Sequence, residues 1–351
     1  MVLRASYMDY YTITKSSSKA DIYRSRDFFW VDEYKKWICF DPDINKMILN
    51  DSRFCVIKYD ISNVENRFGY DLNALKKTIK NLPVAKDGDD HKTLRKAFAI
   101  QIKSKYDESL NCFNSNLQEL IQAILLKDTE LTDLQEHLEV IIWKTICCLS
   151  GLEKYSIAKA SGLSQIFDET LPLTNRVKLN DLIEELATEI GKYIDNDDEV
   201  YFKVALMALG NDSLLSTLQE SILLILLKNE GRYLDEMNWD IQIPASGVPV
   251  VERFASEDIK INQHIITKGQ RVRLYLDSSG YSDLDGPKYS SLYFGSGSHL
   301  CLGMPIGIKI WECLRDELKK IHRKATVLRF NYRENDNVFN LLGTFQVKFY
   351  K

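Results

Sequence analysis

A glycine-rich segment with one cysteine, residues 294–303, constrains this chain more than any other part of its sequence. It reads Phe-Gly-Ser-Gly-Ser-His-Leu-Cys-Leu-Gly, and a helical pattern follows it directly. Gly295 and Gly297 can adopt left-handed backbone conformations, so the segment can form a tight loop. A dinucleotide-binding G-x-G-x-x-G loop does not fit, because position 300 is leucine. Cys301 is then either a structural cysteine in a glycine-rich loop or a ligand for a bound group.

The neighbours of Cys301 suit a thiolate that binds haem iron. Such a sulfur must be deprotonated, shielded from water and fixed in direction. The unsatisfied N–H groups and the positive dipole end of the following helix, with Pro305 in its first turns, would stabilise the thiolate. Phe294 can cover the sulfur, and Gly303 keeps side-chain bulk away from it. These residues favour a haem ligand over a structural cysteine.

The composition is that of a globular protein with a sizeable core. Of the 351 residues, 45% are hydrophobic and 27% are charged, which is enough apolar surface to enclose a cofactor. A net charge of −4 provides no basic excess for binding nucleic acid. The seven cysteines are scattered without a C-x-x-C pair, which argues against a zinc site and is typical of a reducing compartment.

No part of the chain predicts a membrane segment or a signal peptide. No stretch approaches the roughly 20 apolar residues that span a bilayer, and the N-terminus lacks an apolar targeting region. We therefore expect a cytoplasmic protein without membrane contact.

Periodicity predicts short strands at both ends of the chain and helices between them. Residues 28–40 alternate as a pair of strands before a helix capped by Asp41 or Asp43, and a strand hairpin closes the chain. Strands over 243–277 are punctuated by Pro249 and a Lys268-Gly269 turn. Apolar residues at three-and-four spacing predict helices over 91–106, 106–126, 134–152 and 176–194.

The longest predicted helix, residues 200–229, is apolar almost all round, as expected of a helix buried in the protein interior. Its centre holds the polar, glycine-containing run 209–213, Leu-Gly-Asn-Asp-Ser. Two alternatives are open: a glycine tolerated at a cost of about 1 kcal/mol, or a helix deformed locally to make room for a ligand.

Segment 294–303 resembles the cysteine-ligand loop of cytochrome P450s, F-G-x-G-x-H-x-C-x-G in its bacterial form. The resemblance implies a mainly α fold with small β-sheets, the cytochrome P450 fold, in which haem lies between a long central helix and the cysteine-ligand loop. It implies haem b as the cofactor and Cys301 as the iron ligand, with Phe294, Gly295 and Gly303 shaping the loop. We see no linker and expect one domain over residues 1–351.

Two further segments and one loop residue resemble the contacts that this family makes to the haem propionates. Residues 87–98 are similar to the H-x-x-x-R helix, with His91 and Arg95 one turn apart, although such a pair alone would usually be a solvated face. Residues 252–261 are similar to the R-x-A-x-E-D strand and give Arg253 the same role, as the loop motif does for His299. Convergent cations suit two carboxylates.

The run at 209–213 resembles the family motif A-G-x-[D/E]-T. The resemblance implies that Gly210 opens a pocket for dioxygen, and that Asp212 and Ser213 organise water and deliver protons. Serine replaces the usual threonine and can make the same hydrogen bonds without β-branching. Leu209 replaces alanine and narrows the pocket.

The sequence departs from the family at its E-x-x-R helix and in its length. Glu236 can be the glutamate, but the arginine position holds Trp239. The region between the long helix and Glu236, the substrate-covering region and the loop before Phe294 are all short.

The resemblance implies a monooxygenase-type enzyme that oxidises a small organic molecule, in secondary metabolism by analogy with compact bacterial relatives. The alternatives are a haem-thiolate isomerase, peroxide user or coupling enzyme, and a degenerate, non-catalytic binding module. A separate ferredoxin or flavodoxin would supply electrons. Segment 86–105 holds six Lys or Arg residues against three Asp and is either its docking surface or an ordinary solvated helix.

Overall fold

A computed structural model of the chain describes residues 28–32, 34–57, 61, 69–126, 131–239, 243, 245–276, 292–333 and 338–351. These residues form two compact units. The first comprises residues from 1–58, 84–87 and 248–301, and the second comprises residues from 59–83, 88–247 and 302–351. The single domain over 1–351 stays a prediction.

Helices make up most of the described chain, as the periodicity predicts. In chain order they are α1 (Pro42–Asn50), α2 (Asn73–Lys80), α3 (Gly88–Ser104), α4 (Tyr106–Leu126), α5 (Leu134–Leu149), α6 (Leu173–Gly191), α7 (Asp197–Lys228) and α8 (Met304–Leu318).

Ten short strands accompany the helices among the described residues. They are β1 (Phe28–Val31), β2 (Lys36–Cys39), β3 (Phe54–Val56), β4 (Leu131–Asp133), β5 (Val250–Ala255), β6 (Ile259–Ile261), β7 (His264–Ile266), β8 (Arg271–Tyr275), β9 (Lys324–Tyr332) and β10 (Leu342–Tyr350). Helices with small sheets match the predicted fold class.

The first unit is built on a five-stranded sheet with the order β1-β2-β8-β5-β3. β2 and β8 run parallel and the other neighbours run antiparallel. Alternate residues of these strands point into one apolar cluster, in which Phe28 stacks on Trp37. Asp41 caps α1 by accepting a 2.7 Å hydrogen bond from the Ile44 N–H, which confirms one of the two predicted caps.

The second unit surrounds α7, which is buried along most of its length. The helix is continuous from Asp197 to Lys228, including the run at 209–213. Of the two alternatives that the sequence leaves open, the structure therefore favours a glycine tolerated within the helix over a helix interrupted for a ligand. A Cβ at Gly210 would lie 2.9 Å from Ile146 Cδ1 on α5, so the end of that side chain would have to shift. The expectation that Gly210 opens a pocket for dioxygen stays a prediction.

The remaining predicted elements are found where the chain is described. β9 and β10 form the C-terminal hairpin, and Gly269 takes the left-handed conformation, φ +84°, that the predicted turn needs. Between α7 and β5 the described residues contain one 3₁₀ turn, Leu234–Glu236, in agreement with the predicted shortening. Residues 277–291, in the loop before Phe294, lie outside the described residues.

None of the described helices combines the length and the apolarity that crossing a membrane requires.

Gly247 marks a place where the chain touches α7 with its backbone. The Gly247 N–H donates to Thr217 Oγ1 over 3.0 Å, and its carbonyl accepts from Ser216 Oγ over 3.1 Å. A Cβ at Gly247 would overlap the Ser213 carbonyl oxygen and would come within 2.8 Å of the Thr217 nitrogen. Only glycine allows this contact.

We expect Gly247→Ala to lower the free energy of unfolding by about 1–3 kcal/mol, the usual cost of overpacking. The matched control is Gly191→Ala at the end of α6, where nothing lies within 4 Å of an added Cβ. Urea unfolding of both variants measures the difference, and an equal midpoint for the two would contradict the packing seen at Gly247.

Candidate functional site

The loop that ends at Cys301 is closed by its own backbone. The Gly295 N–H donates to the Leu292 carbonyl over 2.8 Å, and the Cys301 N–H donates to the Phe294 carbonyl over 2.8 Å. Gly295 and Gly297 have φ values of +74° and +68°, as the sequence predicts. The two left-handed residues turn the chain back on itself, because other residue types pay a steric cost in that region.

The same loop is fixed against α1 of the first unit. A Cβ at Gly297 would lie 2.5 Å from the Leu49 carbonyl oxygen, so the backbone contact requires glycine. Asn50 Nδ2 donates to Ser296 Oγ over 2.8 Å and adds a polar contact at the end of the helix. The loop therefore has one defined conformation.

Cys301 stands at the end of this fixed loop with its side chain exposed and without a disulfide. α8 begins three residues later, with Gly303 as its N-cap residue and Pro305 in its first turn. The predicted helix is confirmed, and its start lies at Met304. An exposed cysteine on a loop with a fixed backbone is accessible to a metal ion.

Two of the predicted cationic residues lie in the same unit as Cys301. Arg253, on β5, is 9% exposed and donates from Nη1 to the Glu252 carbonyl over 2.8 Å. His299 lies in the loop, with Nε2 3.4 Å from Asp87 Oδ1. No motif of the sequence pairs Asp87 with His299, and Asp87 also accepts a hydrogen bond from the Val56 N–H over 3.1 Å.

His91 and Arg95 lie in the second unit, one turn apart on α3. His91 is buried and Arg95 is partly exposed. The alternative interpretation of this pair was a solvated helix face. Burial of His91 argues against that alternative.

Asp212 is 2% exposed and is held by two donors. Ser164 Oγ donates to Asp212 Oδ2, and Asn211 Nδ2 donates to Oδ1 over 2.7 Å. Ser213 donates its hydroxyl to the Leu209 carbonyl, one turn back along α7, over 2.7 Å. Ser164 lies in a separate 3₁₀ turn, Leu163–Phe167, and nothing in the sequence pairs it with Asp212.

Trp239, at the position of the missing arginine, is fully buried. Its indole N–H donates to the Leu234 carbonyl over 2.6 Å, and its ring centroid is 6.4 Å from that of Trp311 on α8. Glu236 is exposed. An aromatic contact to the helix that follows the cysteine loop thus stands where the family motif has an ion pair.

The predicted site residues divide between the two units. The first unit holds Arg253, Phe294, Gly295, His299 and Cys301, and the second holds His91, Arg95, Gly210, Asp212, Ser213 and Gly303.

Part of the predicted basic surface is neutralised by its own neighbours. Lys92 Nζ is 2.9 Å from Asp89, and Lys105 Nζ is 2.5 Å from Glu108 and 2.9 Å from Glu153. Hydrogen bonds to these carboxylates raise the pKa of both lysines. Fewer cations of segment 86–105 are therefore available to dock a partner than the sequence suggests.

Comparison with known proteins agrees with the predicted superfamily. Cytochrome P450 119 of Sulfolobus acidocaldarius is 23% identical over 197 residues, which is 51% of this chain and 54% of the relative. The match thus spans about half the length of that curated relative. No family model matches the chain.

Solved structures share the fold over almost the whole chain. CalO2 has a TM-score of 0.78 at 12% identity and covers 99% of both chains. The cytochrome P450 RauA, complexed with a biosynthetic intermediate of aurachin RE, has a TM-score of 0.68 at 15% identity, over 97% of this chain and 98% of its own. At these identities the likeness establishes the cytochrome P450 fold.

Two glycines of the cysteine loop allow a matched test of how the loop is fixed. Both Gly295→Ala and Gly297→Ala incur the left-handed cost of about 1–2 kcal/mol. Gly297→Ala also meets the Leu49 carbonyl, whereas a Cβ at Gly295 has its nearest neighbour at 3.7 Å. We expect the unfolding midpoint to fall further in Gly297→Ala, and equal losses would show that α1 does not fix the loop.

Proposed function

We propose that this chain, which has the cytochrome P450 fold, is a haem-thiolate enzyme that oxidises a small organic molecule in a monooxygenase-type reaction. The observation that carries the proposal is the conformation of the loop 294–301, whose backbone hydrogen bonds hold the exposed Cys301 at its end. Such a loop has no evident role in a protein that only needs a structural cysteine, since structural cysteines are usually buried.

The donor set of the described residues fits haem. No group of three His, Cys, Asp or Glu side chains in the described parts of the chain is placed to hold a metal ion. A single protein ligand would suffice for haem iron, because the macrocycle itself supplies four nitrogen ligands. Cys301 would be that ligand, and we assign haem b as the cofactor.

Cationic side chains would hold the propionates. Arg253 and His299 have this role in the proposal, and the H-x-x-x-R motif suggests the same for His91 and Arg95. Charge-assisted hydrogen bonds from Arg and His to carboxylates are stronger than neutral ones. Asp87, with Oδ1 3.4 Å from His299 Nε2, would help to orient the imidazole.

Bound haem would supply an iron centre at which dioxygen is activated, and the thiolate of Cys301 would donate electron density to it. The residues of α7 would manage protons. Asp212, held by Ser164 and Asn211, would exchange protons with interior water. The Ser213 hydroxyl, which donates to the Leu209 carbonyl, keeps lone pairs that can accept a hydrogen bond from that water.

Electrons would come from a separate ferredoxin or flavodoxin. With Lys92 and Lys105 engaged by carboxylates, the docking surface would rely on the other cations of segment 86–105.

The substrate class we propose is a secondary metabolite, supported by the likeness of the fold to that of RauA. A non-catalytic binding role is the second candidate, and Trp239 in place of the family arginine favours it.

The first test is the absorption spectrum of the purified protein, ferric and then reduced under carbon monoxide. We expect the long-wavelength band that is typical of thiolate-ligated haem. In Cys301→Ser this band should be lost or shifted to shorter wavelength, because a hydroxyl is a poor substitute for a thiolate.

The matched control is Cys55→Ser, a partly exposed cysteine on β3 of the same unit, whose spectrum should equal that of the unchanged protein. Retention of the thiolate band in Cys301→Ser would contradict the assignment of the ligand. A protein that takes up no haem would leave only the non-catalytic candidate.

A second test separates the proton-handling role from cofactor binding. In Asp212→Asn, product formation should fall by about 10²-fold, the lower range for loss of acid–base assistance. The spectrum should not change, because Asp212 is not a haem contact in the proposal. Ser164→Ala should give a smaller loss, since it removes one of two donors to the same carboxylate. Unchanged turnover in Asp212→Asn would remove the role assigned to it.

A further inference from the structure

Three side chains of the second unit converge on the carboxylate of Glu139, a residue of α5 whose side chain is 14% exposed. Gln135 Nε2, one turn back on the same helix, donates to Glu139 Oε1 over 2.5 Å. Arg333 Nη2 donates to the same oxygen, and Lys159 Nζ donates to Oε2 over 2.5 Å. Both carboxylate oxygens are therefore engaged, by two cations and one amide that come from three parts of the chain.

Arg333 connects Glu139 to the segment 338–342, which leads into β10. The Arg333 N–H donates to the Leu341 carbonyl over 2.9 Å, so the backbone of this segment lies directly beside Arg333. Leu341 itself is 1% exposed. The ion pair between Arg333 and Glu139 thus attaches a buried part of the chain to α5.

A second anchor holds the same segment from α7. The Leu342 N–H donates to Gln219 Oε1 over 3.0 Å, and Gln219 Nε2 donates to Gln135 Oε1. Because Gln135 in turn donates to Glu139, this anchor belongs to the same network. Gln219 lies seven residues after Asp212, and positions seven apart share one face of a helix. The anchor therefore lies on the face of α7 that carries Asp212.

Lys159 connects Glu139 to the turn that holds Asp212. It stands shortly before the 3₁₀ turn Leu163–Phe167 in the chain. Ser164, in this turn, donates to Asp212 Oδ2. The ion pair of Lys159 with Glu139 therefore fixes the chain close to its entry into the turn.

The two elements that Glu139 holds also meet each other. Phe167 ends the 3₁₀ turn and Phe339 belongs to segment 338–342, and their ring centroids are 6.2 Å apart in an edge-to-face arrangement. This is a favourable geometry for an aromatic pair. The turn and the segment together form an aromatic cover, which is bonded to Asp212 through Ser164.

We propose that Glu139 is a positioning residue, which holds turn 163–167 and segment 338–342 together as the aromatic cover and thereby limits the size of the ligand that approaches Asp212. The size limit rests on the role of Asp212 in the proposed function. Glu139 acts through Lys159 and Arg333. Charge-assisted hydrogen bonds are stronger than neutral ones, so a carboxylate can hold two cations from different elements at once.

The first measurement is amide hydrogen exchange, followed by peptide mass spectrometry in the full-length protein and in Glu139→Gln. Glutamine has no charge, and its NH₂ group would face the donors of Lys159 or Arg333, so at least one contact is lost. We expect exchange in peptides containing 163–167 and 338–342 to become about tenfold faster, the effect of losing one hydrogen bond to a charged group.

Two further variants separate the connections. Lys159→Met should speed exchange in turn 163–167 more than in segment 338–342, and Arg333→Met should do the reverse. The side chains of Lys159 and Arg333 are 38% and 25% exposed, so these variants test the proposal even if Glu139→Gln does not fold. Equal effects of both variants on the two regions would overturn the assigned connections.

The matched control is Glu119→Gln, which makes the same change of charge at an exposed position of α4. Its exchange should equal that of the unchanged protein. Unchanged exchange in either region of Glu139→Gln would overturn the joint cover. Equally faster exchange over the rest of the second unit would show a general structural role and would overturn the proposal as well.

The second measurement tests the size limit in the haem-loaded protein. Imidazole and phenylimidazole both bind haem iron through a ring nitrogen and differ in size, and the shift of the haem absorption band gives their dissociation constants. In Glu139→Gln the dissociation constant of phenylimidazole should fall several-fold relative to that of imidazole, and an unchanged ratio would overturn the size limit. Hydrogen exchange needs no haem, so failure of the proposed function and failure of this proposal are distinguishable.

Discussion

The second unit depends on satisfying the polar side chains of a buried helix. α7 carries polar groups into the interior, and a buried polar group without a partner costs about 1–3 kcal/mol. Several partners come from other elements: Lys203 Nζ donates to the Ser150 carbonyl after α5 over 2.9 Å. Gln219 bonds the Gln135 side chain on α5 and accepts from the Leu342 N–H on β10 over 3.0 Å. The pairings therefore set which elements surround α7 and in what register.

The candidate catalytic residues of α7 follow from the same constraint. Asp212 is buried, so it needs donors, and Ser164 and Asn211 provide them. A Cβ at Gly210 would meet the Ile146 side chain on α5. A Cβ at Gly247 would meet the backbone of α7. The same few positions of α7 thus serve both the packing and the proposed chemistry. A substitution there is expected to change stability and activity together.

Much of the fold could be predicted from the sequence because its signals are local. Helical periodicity, the Asp41 cap and the glycines of the cysteine loop each depend on neighbours within a few residues, and the structure confirms them. The continuity of α7 could not be decided, because a glycine in a helix pattern fits both a tolerated glycine and a deformed helix. A Cβ at Gly210 would meet the end of the Ile146 side chain, which is far away in sequence.

The sequence by itself determined the loop and the helix after it and predicted the cytochrome P450 fold, since a motif of consecutive residues encodes all three. Only the tertiary structure decided that Ser164 holds Asp212, that Asp87 pairs with His299, and that Trp239 packs near Trp311. These pairs join residues far apart along the chain, and their contact depends on how helices and loops pack, which no local pattern encodes.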